Sequence, residues 1–531
     1  MLLGLFLGVV FIWTFNAFRE SDSFYHLKTG QVIWETGVVP TRDIFSYTAP
    51  GAPWVTHEWL AEAILYGIFA LAGYWGVMAF VACLGGATYL LLYLFVRRRG
   101  AGQIVSVMTL LILGSLTFKL WIPRPQTFGF LGLAGLLYLL ERYRTTAERR
   151  YLWFAVLVIW FWANMHASFV LGLGVILWSF LSELWKRRSV DRPLLWAFFA
   201  AGLLAFVNPN GASVYTYLLA IQPTAAALSV AEWKPIQAFL DQPDSLLLIL
   251  EIIFCSFIVI RQALRRGKDI DLTMAGLFLG AAAAPFVSIR YIGYWPMLAS
   301  GAFALAVSDL LSERRKKFRP DVLVALAGAV LLLAAVARYP SFPRDYYVDY
   351  AVPVRAVDFI EGTSLRGPFF NLYNSGGYLI WRLWPSEKVF IDGRSEVYAG
   401  RPVEELLDIV GDLPGGVELR DEKYHVNAMI LQYYPLSLVD SILPLVRRLK
   451  ADGWPLVYWD DAALIFVRAV PENQTVIERY GLFHVSPFRP PDTIPIEERP
   501  AAAVELRSLM ERVPGSAMVA AYAKEFMRVV Q

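Results

Sequence analysis

Residues 20–62, ESDSFYHLKTGQVIWETGVVPTRDIFSYTAPGAPWVTHEWLAE, lie between two strongly apolar segments, yet they crowd Glu20, Asp22, His26, Lys28, His57, Glu58 and Glu62 together. A connection between membrane helices needs only a few residues, and this one uses about forty. Interleaved Trp, Tyr and Phe argue against disorder, so the stretch reads as a catalytic loop. Asp22 stands where the chain leaves the first apolar segment. A carboxylate held at a lipid–water boundary can orient a nucleophile, or take its proton, while a membrane-anchored phosphate departs. The alternative for Asp22 is a helix cap or a solvated interfacial acid. His57 and Glu58 open the next helical pattern, where Glu58 and Glu62, four apart, share one face. They read as acid–base partners facing Asp22, as ligands of a divalent ion, or as first-turn acids favoured by the helix dipole.

Further candidates come from polar residues stranded among aromatic ones. His166, in FWANMHASF, sits between two apolar runs beside Asn164, a costly place for polar groups unless they are satisfied or used. Arg124 in WIPRPQ and Arg290 in VSIRYIGYW are cations at the ends of apolar runs. Such residues either snorkel or pair with the phosphate of a lipid donor, a task suited to the guanidinium fork. For Arg290 no acid precedes it in its own run after Asp271, so its partner is expected from the 20–62 loop or from a bound phosphate. Glu232, in AEWKP, is a further carboxylate candidate. Gly376-Gly377 and Asp392-Gly393-Arg394, in YNSGGYLIWRLWP and VFIDGRSEVY, read as turns or as an acceptor-contacting edge; a G-x-G-x-x-G fingerprint is absent.

The elements that must position these residues are membrane helices. Hydrophobic residues make up 57% of the 531-residue chain, and mean hydropathy is +0.48, which excludes an ordinary soluble domain. Apolar runs long enough for a bilayer core of about 30 Å recur along the chain. Spans are expected near 1–18, 75–96, 103–118, 127–141, 151–165, 169–185, 193–208, 245–262, 272–288, 291–311 and 320–337. The run 57–73 is expected as an interfacial helix. The opening run has no basic flank of the signal-peptide kind and reads as a first span. Basic clusters at 97–99, 142–150, 186–188, 261–268 and 314–319 follow alternate spans, which places them in the cytoplasm and leaves residues 338–531 outside. Cys83 and Cys255 lie in apolar segments as small hydrophobes, without disulfide or zinc spacing.

Beyond 338, short strand-like runs (369–373, 378–383, 388–391, 427–432, 456–459, 463–468) alternate with helical patterns at 403–410 and 435–452. A Pro-rich linker after His484 leads to two amphipathic helical patterns near 501–513 and 516–529. The expected architecture is therefore a polytopic α-helical membrane protein of about 11 transmembrane helices, spanning 1–337 with a loop at 19–74. A C-terminal extracytoplasmic α/β domain at 338–484 and a terminal linker and helix pair at 485–531 follow.

The segment DSFYHLKTGQVIWETGVVPTRDIFSYTAPG resembles the first exterior loop of GT-C glycosyltransferases, and is most similar to that of oligosaccharyltransferase catalytic subunits. In those proteins an Asp followed by aromatics, a His and a basic residue precedes a Gly-x-x-P-x-x-D stretch. The resemblance implies transfer of a sugar or glycan from a polyprenyl-phosphate or diphosphate donor. It places the catalytic role on Asp22, with His26 and Lys28 as matching neighbours. Two family features are absent: KLWIPRPQ lacks the acidic pair of the second exterior loop, and the C-terminal portion lacks the WWDYG signature.

The sequence thus points to an inverting GT-C-like enzyme of the cytoplasmic (inner) membrane acting on the outer face. Asp22, His57 and Glu58 are its catalytic candidates. His26, Lys28, Arg124, His166, Glu232 and Arg290 are its substrate-binding candidates. A divalent ion (Mg or Mn) is the one cofactor considered. The partners expected are a polyprenyl-linked donor, a protein, lipid or glycan acceptor and membrane lipid, with neither nucleotide nor nucleic acid. The rival readings are a lipid-linked sugar transporter or flippase, and a non-catalytic scaffold for envelope assembly.

Overall fold

The computed structural model describes residues 1–217, 231–312, 351–432 and 439–530, together with positions 333, 343, 345, 347, 348 and 350. The basic cluster expected at 314–319, the span expected at 320–337 apart from position 333, and parts of 208–244 and 435–452 lie outside the described residues. By its contacts the chain divides into two units. The first comprises Met1–Ala17, Gly30–Val39 and Val55–Tyr346; the second comprises Phe18–Thr29, Pro40–Trp54 and Tyr347–Gln531.

The first unit is helical. In chain order it contains α1 (Leu2–Thr14), part of α2 (Asp22–Thr36), α3 (Trp59–Arg98), α4 (Gln103–Gly114), α5 (Gln126–Thr146), α6 (Arg150–Ala163), α7 (Phe169–Arg187), α8 (Arg192–Leu204), α9 (Pro243–Arg266), α10 (Leu272–Ala283) and α11 (Trp295–Ser312). Helices with bounds Trp59–Arg98, Phe169–Arg187, Pro243–Asp269 and Ile289–Ser312 are long and apolar enough to cross a membrane, and five shorter apolar helices accompany them among the described residues. Large apolar side chains point outward on α6 (Trp153, Phe154, Phe161), α8 (Trp196, Phe199, Leu203) and α9 (Leu250, Ile253, Phe257). A helix satisfies its own backbone, so such faces suit a lipid environment.

Packing follows a chain of neighbours: α3 lies on α1 and α5, α5 on α6, α6 on α8, α8 on α7, α7 on α10, α10 on α11, and α11 on α4 and α9. Local chemistry sets several boundaries. Asp191 caps α8 by accepting from Leu194 N–H at 3.0 Å, and Asp271 caps α10 by accepting from Met274 N–H at 3.0 Å. Two departures from expectation stand out. The interfacial run 57–73 and the following span are one helix, α3, interrupted at Gly73, whose φ of 62° and ψ of −162° only glycine adopts readily. The supposed loop 20–62 contains the helix α2, because its buried Phe24, Tyr25, Leu27 and Val32 give it an apolar side the surrounding acids obscure.

The second unit contains a four-stranded sheet in the order β1-β2-β4-β3, with β1 (Phe369–Asn371) parallel to β2 (Ala428–Gln432). β4 (Ala463–Val467) runs antiparallel to both β2 and β3 (Leu456–Trp459). Every strand residue is buried, which is why the strands are unbroken apolar runs rather than alternating ones. Its helices are α12 (Val354–Glu361), α13 (Gly376–Leu383), α14 (Arg401–Val410), α15 (Val439–Ala451), α16 (Gln474–Tyr480), α17 (Arg499–Arg512) and α18 (Ala517–Val530).

Two expected strands are not strands. Residues 378–383 form α13, and 388–391 make only an isolated bridge, Val389 to Ser46. Short apolar runs carry no period that separates strand from helix, so tertiary packing decides.

At one end of the first unit a buried ion network ties α3, α5 and α10 together. The guanidinium of Arg99 pairs with Glu141 at 2.7 Å and with Asp271, and Arg144 pairs with Glu141 at 2.6 Å. The Arg99 and Glu141 side chains are 4% and 1% exposed. Removing one partner leaves a charge stranded in apolar surroundings. Arg99→Leu is therefore expected to cost about 3–5 kcal/mol, read as a lowered unfolding temperature in detergent. Arg99→Leu combined with Glu141→Gln should recover part of that loss.

Candidate active site

The turn before α3, the α6–α7 connection, the 3-10 segment Ala231–Trp233 and the segment Ile289–Tyr294 converge within the first unit. His57 and Glu58 come from the first of these and His166 from the second. His57 Nε2 lies 3.7 Å, and His166 Nε2 3.5 Å, from Glu58 Oε1. The α6–α7 turn is held by Asn164, whose side-chain carbonyl accepts from Trp59 Nε1 at 3.0 Å and whose backbone carbonyl accepts from Leu60 N–H. Asn210 donates to the Thr56 carbonyl at 3.0 Å. The polar spot seen in the sequence is thus satisfied, and it fixes the histidine and the glutamate against each other.

The hydrogen bonds assign the tautomers. His166 Nδ1 accepts from Ser168 N–H at 3.1 Å, with Ser168 Oγ 2.7 Å away, so its proton sits on Nε2, facing Glu58. His57 Nδ1 lies 3.1 Å from the Val55 carbonyl and donates to it, leaving Nε2 as the acceptor toward Glu58.

Beside this trio lies a second one. Glu232 pairs with Arg290 through one carboxylate oxygen and lies 3.8 Å from Arg124 through the other. The Arg290 guanidinium also covers the Trp233 ring at 5.0 Å. The Ser288 hydroxyl donates to the Glu232 carbonyl at 2.8 Å, and Ile289 N–H donates to the Lys234 carbonyl at 2.9 Å. Those bonds fasten the two segments that carry the pair. The sequence leads one to expect the partner of Arg290 in the 20–62 stretch or in a bound phosphate; the structure adds one that it did not foresee, Glu232 from a distant stretch.

Burial and the two guanidinium groups set the protonation states. Burial, with the positive charge of Arg290, lowers His57 to about 4. Burial and the same arginine also hold His166 well below its ordinary value, so both imidazoles are neutral. Burial raises Glu58 to about 7 against the opposing pull of Arg124 and Arg290. For Glu232 burial pushes up, but Arg290 and Arg124 outweigh it and hold the carboxyl low. Two carboxyls close together are thereby separated into an ionised ion-pair partner and a group poised near neutrality, an arrangement suited to acid–base work.

A cavity of about 320 Å³ opens beside these groups, lined by His57, His166, Tyr217, Trp233, Arg290 and Tyr294, among others. The Tyr217 ring lies 4.1 Å from that of His57. An apolar, aromatic wall with one guanidinium and two neutral imidazoles fits an amphiphile with an anionic head. Tyr217, Trp233 and Ser168 escape sequence reasoning. Only the H-x-S spacing of His166 and Ser168 offers a local signal.

Six of the nine candidates, His57, Glu58, Arg124, His166, Glu232 and Arg290, are therefore gathered in the first unit. The other three, Asp22, His26 and Lys28, belong to the second unit. Asp22 is the first residue of α2, where the helix dipole favours a carboxylate. His26 is buried with its ring 4.1 Å from Tyr25. The Lys28 ammonium lies 5.1 Å and 5.8 Å from the rings of Trp381 and Trp384.

No protein-family profile and no curated protein sequence matches the chain. Solved structures do. The archaeal oligosaccharyltransferase AglB from Archaeoglobus fulgidus, in complex with an inhibitory peptide and a dolichol-phosphate, matches with a TM-score of 0.58 at 12% identity. The match covers 99% of this chain and 86% of that one. An Archaeoglobus fulgidus oligosaccharyltransferase tethered to an acceptor peptide matches with a TM-score of 0.55 at 12% identity, over 88% and 74% of the two chains. The form of that protein complexed with Zn and sulfate matches with a TM-score of 0.53 at 12% identity, over 88% and 73%. The chain is thus similar in fold to GT-C multi-pass membrane glycosyltransferases of the oligosaccharyltransferase kind.

The Glu58 assignment has a measurable consequence. Its folded-state value lies above the ordinary 4.5, so the folded protein holds this proton more tightly than the unfolded chain. The stabilisation is present below about 4.5 and is lost as pH rises to about 7. The unfolding temperature of the native protein should therefore fall relative to Glu58→Gln between pH 4.5 and 7. Parallel curves for the two proteins would place the Glu58 carboxyl in an ordinary, solvated state.

Proposed function

We propose that this protein is a membrane glycosyltransferase that moves a sugar or glycan from a polyprenyl-phosphate or diphosphate donor to an acceptor on the outer face of the membrane. The observation that carries the reading is the aromatic cavity beside Arg290, with neutral His57 and His166 in its wall. The fold shared with the dolichol-phosphate-bound AglB supports it. Eleven crossings, an inner-membrane location and an outward C-terminal portion complete the proposal. The alternation of basic clusters supports that topology.

The reaction divides as follows. The acceptor atom attacks the anomeric carbon, the bond from that carbon to the phosphate oxygen breaks, and the phosphate leaves with the electron pair. Asp22 orients the acceptor and takes its proton. Arg290 and Arg124 stabilise the charge that develops on the leaving phosphate. Before the donor arrives, Glu232 holds both guanidinium groups in place, so little reorganisation is needed when phosphate competes for them. His166, with its proton on Nε2, is a neutral hydrogen-bond donor to phosphate oxygen. Glu58, near neutrality, can supply or accept a proton. Where a divalent ion takes part, Glu58 and the buried Glu62, one turn apart at the start of α3, would hold it. Such an ion would supply Lewis-acid neutralisation of a diphosphate.

Two experiments test this. With polyprenyl phosphate as the probe, native mass spectrometry of the purified protein should detect binding. Arg290→Lys, which keeps the charge but loses the fork, should weaken it roughly tenfold, and Arg290→Ala more. Unchanged affinity in both variants would mean that Arg290 is only an ion-pair partner of Glu232. Separately, Asp22→Asn should remain folded and lose release of polyprenyl phosphate or polyprenyl diphosphate from a panel of the corresponding polyprenyl-phosphate and polyprenyl-diphosphate sugars. Full turnover in that variant would remove Asp22 from the mechanism.

A further inference from the structure

The motifs S-G-G-Y and I-D-G-R, which the proposed chemistry leaves unused, meet the Ser21–Asp22 dipeptide inside the second unit. Gly376, Gly377 and Gly393 all lie outside the left-handed region that favours glycine, so their backbone conformation would accept alanine. What excludes a side chain is space. A Cβ on Gly393 would stand 2.6 Å from Asp22 Cγ and 2.9 Å from its Oδ2. On Gly377 it would stand 2.8 Å from the Ser21 carbonyl carbon and 3.2 Å from Ser21 Oγ, and on Gly376 2.7 Å from Asp392 Cα. Next to them, Tyr378 N–H donates to Ser21 Oγ at 2.6 Å.

The segment carrying Gly393 is held rigidly. Arg394 donates to Asp392 through Nε at 2.7 Å and Nη2 at 2.6 Å, and its Nη2 lies 2.8 Å from Asp43 Oδ1. Its guanidinium packs against the rings of both Trp54, at 4.4 Å, and Phe45, at 5.0 Å, with the Arg394 side chain 1% exposed. The Gly393 carbonyl accepts from the Tyr373 hydroxyl at 2.8 Å, and Asn371 clamps the preceding Phe390 and Ile391. A buried charge with two carboxylate partners and two aromatic faces has no inexpensive way to shift. When Gly393 gains a methyl group, the collision falls on the end of the Asp22 side chain.

We infer that the Asp392-Gly393-Arg394 segment, with Gly376 and Gly377, is a glycine-lined seat that fixes the position of the Asp22 carboxylate, making Gly393 a positioning residue for it. The inference rests on Asp22 acting on the acceptor, but the seat itself is testable apart from activity. Carbodiimide labelling followed by mass spectrometry should show Asp22 reacting several-fold faster in Gly393→Ala than in the native protein, with other carboxylates unchanged. A thermal double-mutant cycle should show that the stability lost in Gly393→Ala is regained when Asp22→Ala removes the colliding carboxylate. In the polyprenyl-sugar assay, kcat should fall about 100-fold while KM for the donor holds.

Unchanged Asp22 labelling in Gly393→Ala, or a thermal loss as large in the Asp22→Ala background as in the native one, overturns the seat. Altered labelling with thermal coupling, alongside an Asp22→Asn variant that turns over normally, establishes the seat and removes the catalytic reading of Asp22. Gly377→Ala serves as the contrast. Its methyl group meets Ser21 backbone rather than a movable side chain, so it should lower the unfolding temperature in the Asp22→Ala background as well.

Discussion

Placing charge among apolar helices is expensive, about 2.5–3.5 kcal/mol for an arginine at bilayer depth on insertion scales. The architecture of the first unit follows from how that cost is met. Arg99 is answered by Glu141 and Asp271, which joins three helices at one end. Arg290 and Arg124 share Glu232, which joins a loop segment to the start of the last described helix of that unit. Each network is a structural fastener first. The one containing Arg290 borders a cavity with aromatic walls and neutral imidazoles, so the Arg290 guanidinium is available to a ligand as well as to Glu232.

The same charges tune their neighbours. Burial, reinforced by the charge of Arg290, keeps the histidines neutral; burial leaves Glu58 near neutrality, and the two guanidinium groups hold Glu232 ionised against the same burial. One electrostatic arrangement therefore produces a hydrogen-bond donor, an ion-pair partner and a proton-exchanging carboxyl from ordinary residue types. The fold is similar to that of solved oligosaccharyltransferases. At 12% identity it leaves the chemistry to be argued from the residues themselves.

In the second unit the organising device is space rather than charge. Glycines commonly mark turns, yet Gly376, Gly377 and Gly393 sit where any residue's backbone could lie and are excluded from bearing side chains by Ser21, Asp22 and Asp392. The buried Arg394 network gives that exclusion its force, because a seat that could relax would not hold anything.

Hydropathy and local pattern by themselves mark the helices of the first unit apart from α2 and the continuity of α3, the four strands of the sheet and the terminal helix pair, because each depends on residues a few positions apart. The crowding of acids and histidines in 20–62, and the stranded His166, Arg124 and Arg290, are equally legible, since a polar residue in an apolar run is conspicuous. Tertiary structure alone decided the rest. Arg290 and Glu232 are 58 residues apart, and nothing local ties one to the other. Residues 378–383 read as a strand and fold as a helix because a six-residue apolar run has no distinguishing period. Gly377 and Gly393 owe their identity to a dipeptide more than 350 positions away. Long-range partners cost no sequence signal of their own, and the physical reason for these residues became visible only when the chain brought them together.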